Sequence, residues 1–153
     1  MGVGQSSMMG VVGAVGSAGV AARMVSNEVN QEISAGQAAQ QETNRLAIEN
    51  KQDILEADIQ KGINEEANED FKEHRADLHA GHELMKEAKT PEDREYLHDE
   101  MYKAAKGMIE SEGEMKKAKQ AFEVLQDKIN ARNFMMENNK KAIARAQKWG
   151  GLK

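Results

Sequence analysis

The chain has 153 residues, a net charge of −5, one Pro and no Cys. The absence of Cys excludes disulfides, thiol catalysis and Cys-ligated zinc, and the acidic balance gives no chain-wide basic footprint for nucleic acid. With 4% aromatic and 31% charged residues, the composition is typical of extended helices and coiled coils rather than of a domain with a large apolar core.

Residues 1–25 are apolar and rich in Gly and Ala, and Arg23 is their only charged residue. The lack of basic residues before the apolar run argues against a secretory signal, and the Val and Met content argues against a flexible linker. Drawn as a helix, the segment places small residues on one face, which lets helix backbones approach closely, including inside lipid. We expect a membrane-active or helix-packing helix, with a buried or frayed terminus as the alternative. The small-residue face consists of Gly10, Gly13, Ala14, Ser17, Ala18, Ala21 and Ala22.

Residues 26–89 are predicted to form one long helix, with Ser26 or Asn27 as its N-cap. Its apolar residues recur with a mean spacing of about 3.7 residues, which is closer to an 11-residue repeat than to a heptad and predicts a straight or slightly right-handed supercoil. This apolar stripe consists of Ile48, Gln52, Leu55, Ile59, Ile63, Ala67, Phe71, His74, Leu78, His82 and Met85.

A sharp break follows at Lys89-Thr90-Pro91. Thr is a good N-cap, Pro is favoured at the first helical position, and acids follow in the first turn. One helix is therefore predicted to end near Lys89 and another to begin at Pro91. The short connection favours an antiparallel hairpin. The different repeats of the two helices, however, predict that they do not pair along their full length.

Residues 91–149 carry a heptad pattern in which steps of four and three residues alternate without a slip. This predicts a left-handed coiled coil, with polar interruptions at Ser111, Arg132 and Asn139 that fix register or oligomeric state. Trp149-Gly150-Gly151 is predicted to end the helix and leave residues 150–153 as a tail. The seam consists of Leu97, Met101, Ala104, Met108, Ser111, Met115, Ala118, Phe122, Leu125, Ile129, Arg132, Met136, Asn139, Ile143 and Ala146.

Candidate chemistry is confined to His74, His79 and His82, which with Asp77 or Glu83 could form a divalent-metal site. The spacing specific to HExxH zinc sites is missing, so a solvated helix face is the stronger interpretation. No phosphate loop and no Ser/His/Asp arrangement is present. We therefore expect no catalytic site, no metal, no cofactor and no small-molecule substrate.

The start "MGVGQSSMMGVVGAVGSAGVAARMV", followed by "NEVNQEISAGQAAQQETNRLAIENKQDILEADIQ", resembles the small internal virion proteins of short-tailed bacteriophages and the DNA pilot proteins of small single-stranded-DNA phages. The resemblance covers residues 1–60 and lies in their overall composition: a Gly/Ala-rich apolar start is followed by Gln/Asn/Ala/Glu-rich helices with few aromatic residues. It implies a protein located inside the capsid or at the portal or tail, and in the host envelope during infection, where its helices help form a conduit for DNA. The implied partners are copies of itself, other virion proteins and a host membrane, with DNA contacted only weakly or during passage.

The sequence as a whole predicts an all-α, oligomeric protein of extended helices with coiled-coil packing and an N-terminal Gly/Ala-rich apolar helix. Oligomerisation is expected because a single pair of helices rich in Ala and Met would form only a thin apolar core. Two alternative functions remain open at this stage. One is a secretion-system translocator-like protein, and the other is a soluble coiled-coil scaffold or adaptor.

Overall fold

A computed structural model describes the backbone of residues 14–151 and the side chains of residues 25–151. Within this part of the chain, the regular structure consists of two long helices and no strand. Helix α1 spans Ala14–Met85 and helix α2 spans Pro91–Lys148. The all-α class predicted from the sequence is confirmed for the described residues.

Helix α1 begins earlier and ends earlier than predicted. Its backbone runs through Ser26 and Asn27 without interruption, since a capping residue is needed only where a helix starts. It ends at Met85, four residues before Lys89, and the backbone N–H groups of Lys86, Glu87 and Ala88 each donate to the carbonyl three residues earlier. Such bonds tighten the last turn of a helix, and residues before a proline disfavour helical geometry.

The start of α2 has the predicted cap. The backbone N–H of Asp93 donates to Thr90 Oγ1 over 3.1 Å, and the N–H of Arg94 donates to the Thr90 carbonyl over 3.1 Å. Pro91 occupies the first helical position, where its missing N–H costs no hydrogen bond. Glu92 and Asp93 in the first turn complement the helix dipole.

The end of α2 is formed by a glycine in a left-handed conformation. Gly150 has a φ of 75°, which costs glycine little because it has no Cβ. The N–H of Gly150 donates to the Gln147 carbonyl over 2.9 Å, and the N–H of Gly151 donates to the Ala146 carbonyl over 3.0 Å. These two bonds form a Schellman motif, which satisfies carbonyls at the helix end.

The chain divides into two compact units. Unit 1 contains Met1–Lys51 and Asn130–Lys153, and unit 2 contains Gln52–Ile129. Each unit therefore contains a segment of α1 packed against a segment of α2.

The two helices pair antiparallel within each unit. In four contacts between the helices, the two residues lie equally far along the chain from Pro91, so both units have the same register. The helices therefore pair more extensively than their different repeats predicted. In unit 1 the pairs are Gly36–Ala146, Thr43–Asn139 and Asn50–Arg132, and in unit 2 the pair is Gly81–Met101.

The face of α1 that packs on α2 coincides with the predicted apolar stripe only in its second part, at Ala67, Phe71, His74, Leu78 and Met85. Ile48, Leu55 and Ile59 are 59%, 65% and 55% exposed, so the first part of that stripe faces away from α2. The positions turned towards α2 instead alternate steps of three and four residues, as in a heptad. They are occupied largely by small or polar residues, which is why hydrophobicity alone did not reveal them. The series is Gly36, Ala39, Thr43, Leu46, Asn50, Asp53, Ala57, Gln60, Asn64, Ala67, Phe71, His74, Leu78, Gly81 and Met85.

The predicted seam of α2 lies against this face. All fifteen of its positions are buried or partly exposed, and Ala104, Ser111, Ala118, Ile129 and Ala146 are the most buried. The common register sets small residues opposite large ones, such as Ala57 opposite Leu125, Ala67 opposite Met115, and Gly81 opposite Met101. Small residues allow the helix axes to approach closely. The core of each unit is therefore only one layer of side chains thick.

Gly36 provides a test of this close approach. A Cβ at position 36 would overlap the Ala146 side chain and lie 2.9 Å from the backbone oxygen of Ala142, whereas a Cβ at Gly62 would meet nothing within 4 Å. Both glycines lie inside α1, so alanine should gain about 1 kcal/mol of helix propensity at either position. We expect Gly62→Ala to raise the free energy of unfolding. The free energy of unfolding of Gly36→Ala should be lower than that of Gly62→Ala by about 1–3 kcal/mol, which is the usual cost of overpacking.

Urea denaturation of the full chain, followed by circular dichroism, measures both variants. Equal stabilisation by the two substitutions would show that α1 and α2 do not approach closely at Gly36.

The Thr90 cap gives a second prediction. Thr90→Ala removes the acceptor of the Asp93 N–H and should lower the free energy of unfolding by about 1 kcal/mol. Thr90→Ser keeps a hydroxyl at the same place and serves as the matched control, with stability close to that of the unaltered chain. Thermal denaturation compares the three proteins, and a loss of similar size in Thr90→Ser would argue against the cap.

Candidate functional site

The buried polar side chains of unit 1 lie on the face along which α1 and α2 pair. Asn50 is only 6% exposed. Its Nδ2 donates to Asn133 Oδ1 over 3.0 Å, and its Oδ1 accepts from Arg132 Nη1 over 3.4 Å. Arg132 Nε also lies 3.4 Å from Glu49 Oε1, and Glu49 pairs with Arg45 on its own helix. These contacts form a first polar layer that joins the two helices.

A second polar layer lies at Asn139. Its Nδ2 lies 3.0 Å from Glu42 Oε1, 3.2 Å from Thr43 Oγ1 and 3.5 Å from the Ala39 carbonyl. All three acceptors belong to α1. The amide therefore replaces an apolar contact with hydrogen bonds that only one helix register can provide.

Both layers include residues that the heptad pattern of α2 marked as polar interruptions. Polar groups at such positions are used in helix pairs to fix register, at a cost in stability. The partners on α1, chiefly Asn50 and Thr43, were missed because the apolar stripe of α1 was traced along a different face. The spacing of small and polar residues along α1 is the signal that would have identified them. Ser111, the third interruption, is buried in unit 2.

Trp149, which directly follows α2, forms a hydrogen bond to α1. Its indole Nε1 donates to Glu32 Oε2 over 3.2 Å, and Lys148 Nζ lies 5.2 Å from the centre of the indole ring. Gly151 lies so close to Ile33 that a Cβ there would overlap the Ile33 side chain. The C-terminal residues of α2 therefore contribute to the helix-pairing face of unit 1.

The predicted small-residue face lies outside the residues whose side chains are described. Gly10 and Gly13 precede the described backbone, and the other members lie on the α1 backbone without described side chains. In the described part of the chain, no helix has the length and apolarity to cross a membrane. The remaining members of the face are Ala14, Ser17, Ala18, Ala21 and Ala22.

The three candidate metal ligands have different environments. His74 is partly buried on the helix-pairing face, where its ring packs so closely on Gly107 that a Cβ there would overlap it. His79 and His82 are exposed. Among the described residues, no group of three or more His, Asp or Glu side chains is placed to hold a metal ion.

The first polar layer provides a test of its role. Asn50→Ala removes both hydrogen bonds of the Asn50 amide, including the one that it accepts from Arg132. We expect the free energy of unfolding to fall by about 1–3 kcal/mol. In the double variant Asn50→Leu/Arg132→Leu, apolar contact replaces the polar pair, and stability should return to or exceed that of the unaltered chain. Glu49 keeps Arg45 as a partner in that variant.

Urea denaturation of the full chain measures both variants. A double variant that is less stable than Asn50→Ala would show that the layer contributes net stability and would contradict a register-setting role.

Comparisons with known proteins give no relative. No known protein family, no curated protein and no solved structure matches the chain.

Proposed function

We propose that the chain is a structural virion protein of the ejection or pilot type. It oligomerises through its long helices, with coiled-coil packing, and helps form a conduit for DNA across the host envelope. The single observation that carries this proposal is that the paired helices bury mostly small side chains and leave large apolar ones exposed.

The buried apolar residues are dominated by alanine. Among residues 25–151, eight apolar residues are buried; six of them are Ala, and the two larger ones are Leu46 and Ile129. By contrast, Ile109 is 72% exposed and Phe134 is 69% exposed. Burial stabilises in proportion to the apolar area removed from water, about 25 cal/mol per Å², so one chain leaves much of its apolar stabilisation unused. Copies of the chain or other virion proteins would cover these side chains.

The helices also have features of low intrinsic stability. Polar layers interrupt the pairing face of unit 1, and Gly62 and Gly113 lie inside the helices with nothing against their missing side chains. Each such glycine costs a helix roughly 1 kcal/mol relative to alanine. A protein that must leave the virion, pass a narrow opening and reassemble benefits from such ease of local unfolding.

Residues 1–25 are proposed as the end that engages the membrane. Their composition supports this role, since small residues allow close helix packing in lipid. Gly and Ala add little insertion energy compared with Leu or Ile. The segment is therefore expected to act within an assembly rather than as a single anchor.

Leakage of a fluorescent dye from vesicles tests the proposed function. Vesicles of phosphatidylethanolamine and phosphatidylglycerol mimic a bacterial membrane, and the full chain should release the dye. The variant Val11→Lys/Val15→Lys keeps the length of the segment but places two charges in it, and should release at least about tenfold less because each charge opposes insertion by roughly 2.5–3.5 kcal/mol. A chain that lacks residues 1–25 should release none.

The matched control is Lys140→Ala/Lys141→Ala, which alters two exposed charges at the far end of α2 and should leave leakage unchanged. Equal leakage without residues 1–25 would contradict the proposal. Absence of leakage by the full chain would favour a soluble scaffold, and co-purification with virions in a fixed copy number would favour the ejection role.

A further inference from the structure

Two opposite edges of the helix pair in unit 2 differ in charge. The first edge, called the acidic edge, is formed by residues that directly precede every second paired position on each helix, in the series that includes Ala57 on α1 and Met101 on α2. The second, called the basic edge, is formed by residues that directly follow the alternate paired positions. The charged and histidine members of the acidic edge are Glu56, Asp70, Asp77, Glu100, Glu114 and Lys128, and those of the basic edge are Lys61, Arg75, His82, His98, Glu112 and Lys119.

Grooves along the two helices confirm that these edges lie on different sides. One groove of about 420 Å³ is lined by Asp77 and Glu100 together, and another of about 480 Å³ is lined by Glu56 on the same edge. A groove of about 200 Å³ on the other side is lined by Lys61 and Lys119. Of the charged members of the two edges, each groove thus contains those of one edge only, while Lys103 and Lys117, which belong to neither edge, also line the two grooves on the acidic side.

This arrangement sets like charges against each other across the helix pair. Asp77 of α1 and Glu100 of α2 share one groove, and Lys61 of α1 and Lys119 of α2 share another. In helix pairs, residues at flanking positions normally attract each other between helices and set the choice of partner. Here their mutual repulsion opposes the pairing of α1 with α2, which a single chain would have no reason to retain.

The edge charges are also largely unpaired. Within the described part of the chain, Lys61, Lys119 and Asp77 form no ion pair. Glu100 pairs only with Lys103 on its own helix, over 3.3 Å, and both side chains are well exposed. An exposed pair of this kind contributes well under 1 kcal/mol. The charges of both edges therefore remain available to an external partner.

We propose that a second copy of this chain docks edge to edge, with the basic edge of one copy on the acidic edge of the next. The opposite charges of the two edges supply the attraction, and the docking removes the like-charge repulsion within each copy. Exposed apolar side chains lie on both edges, with Ile54 on the basic edge and Leu84 on the acidic edge, and add apolar burial to the contact. The proposal specifies the interface of the self-association on which the proposed function rests.

Such a contact joins two different surfaces, so every bound copy still presents one free edge of each sign. Contacts of this type continue from copy to copy and produce a ring when the rotation closes or an open filament when it does not. A symmetric dimer is not expected from this interface, since each edge would then meet its own charge.

Sedimentation velocity of the full chain at two salt concentrations is the first experiment. At about 10 mM salt the screening length is about 30 Å, and at about 1 M it is about 3 Å. The chain should sediment as assemblies at low salt and dissociate at high salt.

Two charge-reversal variants identify the edges. Lys61→Glu/Lys119→Glu makes both edges acidic, and Asp70→Lys/Asp77→Lys/Glu100→Lys makes both edges basic. Each variant alone should lose self-association by at least about tenfold, because like charges then meet across the contact. An equal mixture of the two variants should associate again at low salt, since each offers the edge that the other lacks.

The matched control is Lys106→Glu/Lys141→Glu. It changes the net charge as much as the first variant, at exposed positions that belong to neither edge, and should assemble like the unaltered chain. Circular dichroism verifies that all variants keep their helix content.

Three results would overturn the edge contact: a single-chain species at both salt concentrations, equal loss of association in the control, or no association of the mixed variants. These results are separate from vesicle leakage. A chain that assembles without causing leakage contradicts only the membrane role, and a chain that causes leakage and still assembles in both charge-reversal variants contradicts only the edge contact.

Discussion

The close approach of α1 and α2 through small side chains is the constraint on which the rest of the structure depends. Gly36 meets Ala146 in unit 1, and Gly81 meets Met101 in unit 2. Such contacts fix how deeply each helix sits against the other. They also limit how much apolar area one chain can bury, since alanine and glycine offer little of it. Large side chains such as Ile109 and Phe134 consequently remain outside.

Polar and charged groups then determine which arrangements this thin core accepts. The amides of Asn50 and Asn139 find their partners in one register only. We propose that the charged edges of unit 2 act at the next level, between copies. Apolar contacts persist when one helix shifts along the other, whereas hydrogen bonds and pairs of opposite charges are lost. The specificity of the helix pairing in this chain therefore comes mainly from its polar residues.

The sequence predicted the helical class, the break at Thr90-Pro91 and the face of α2 in some detail. These rest on local chemistry: a threonine cap, a proline, and Met, Leu and Ile at regular steps. The sequence did not predict the contact face in the first part of α1, where the apolar stripe formed by Ile48, Leu55 and Ile59 faces away from α2. The true contact positions there are Gly, Ala, Thr and Asn, and their role follows from what lies opposite. The polar layers and charged edges were missed for the same reason.

The register centred on Pro91 also constrains how the chain can change in length. Each residue rotates a helix by about 100°, so loss of one residue from α1 would turn every contact position beyond it away from α2. Loss of seven residues restores the facing direction but slides the partners past each other. Only matching changes at equal distances from Pro91, in whole heptads, preserve the pairs. Insertions and deletions between the paired positions of α1 and α2 are therefore coupled.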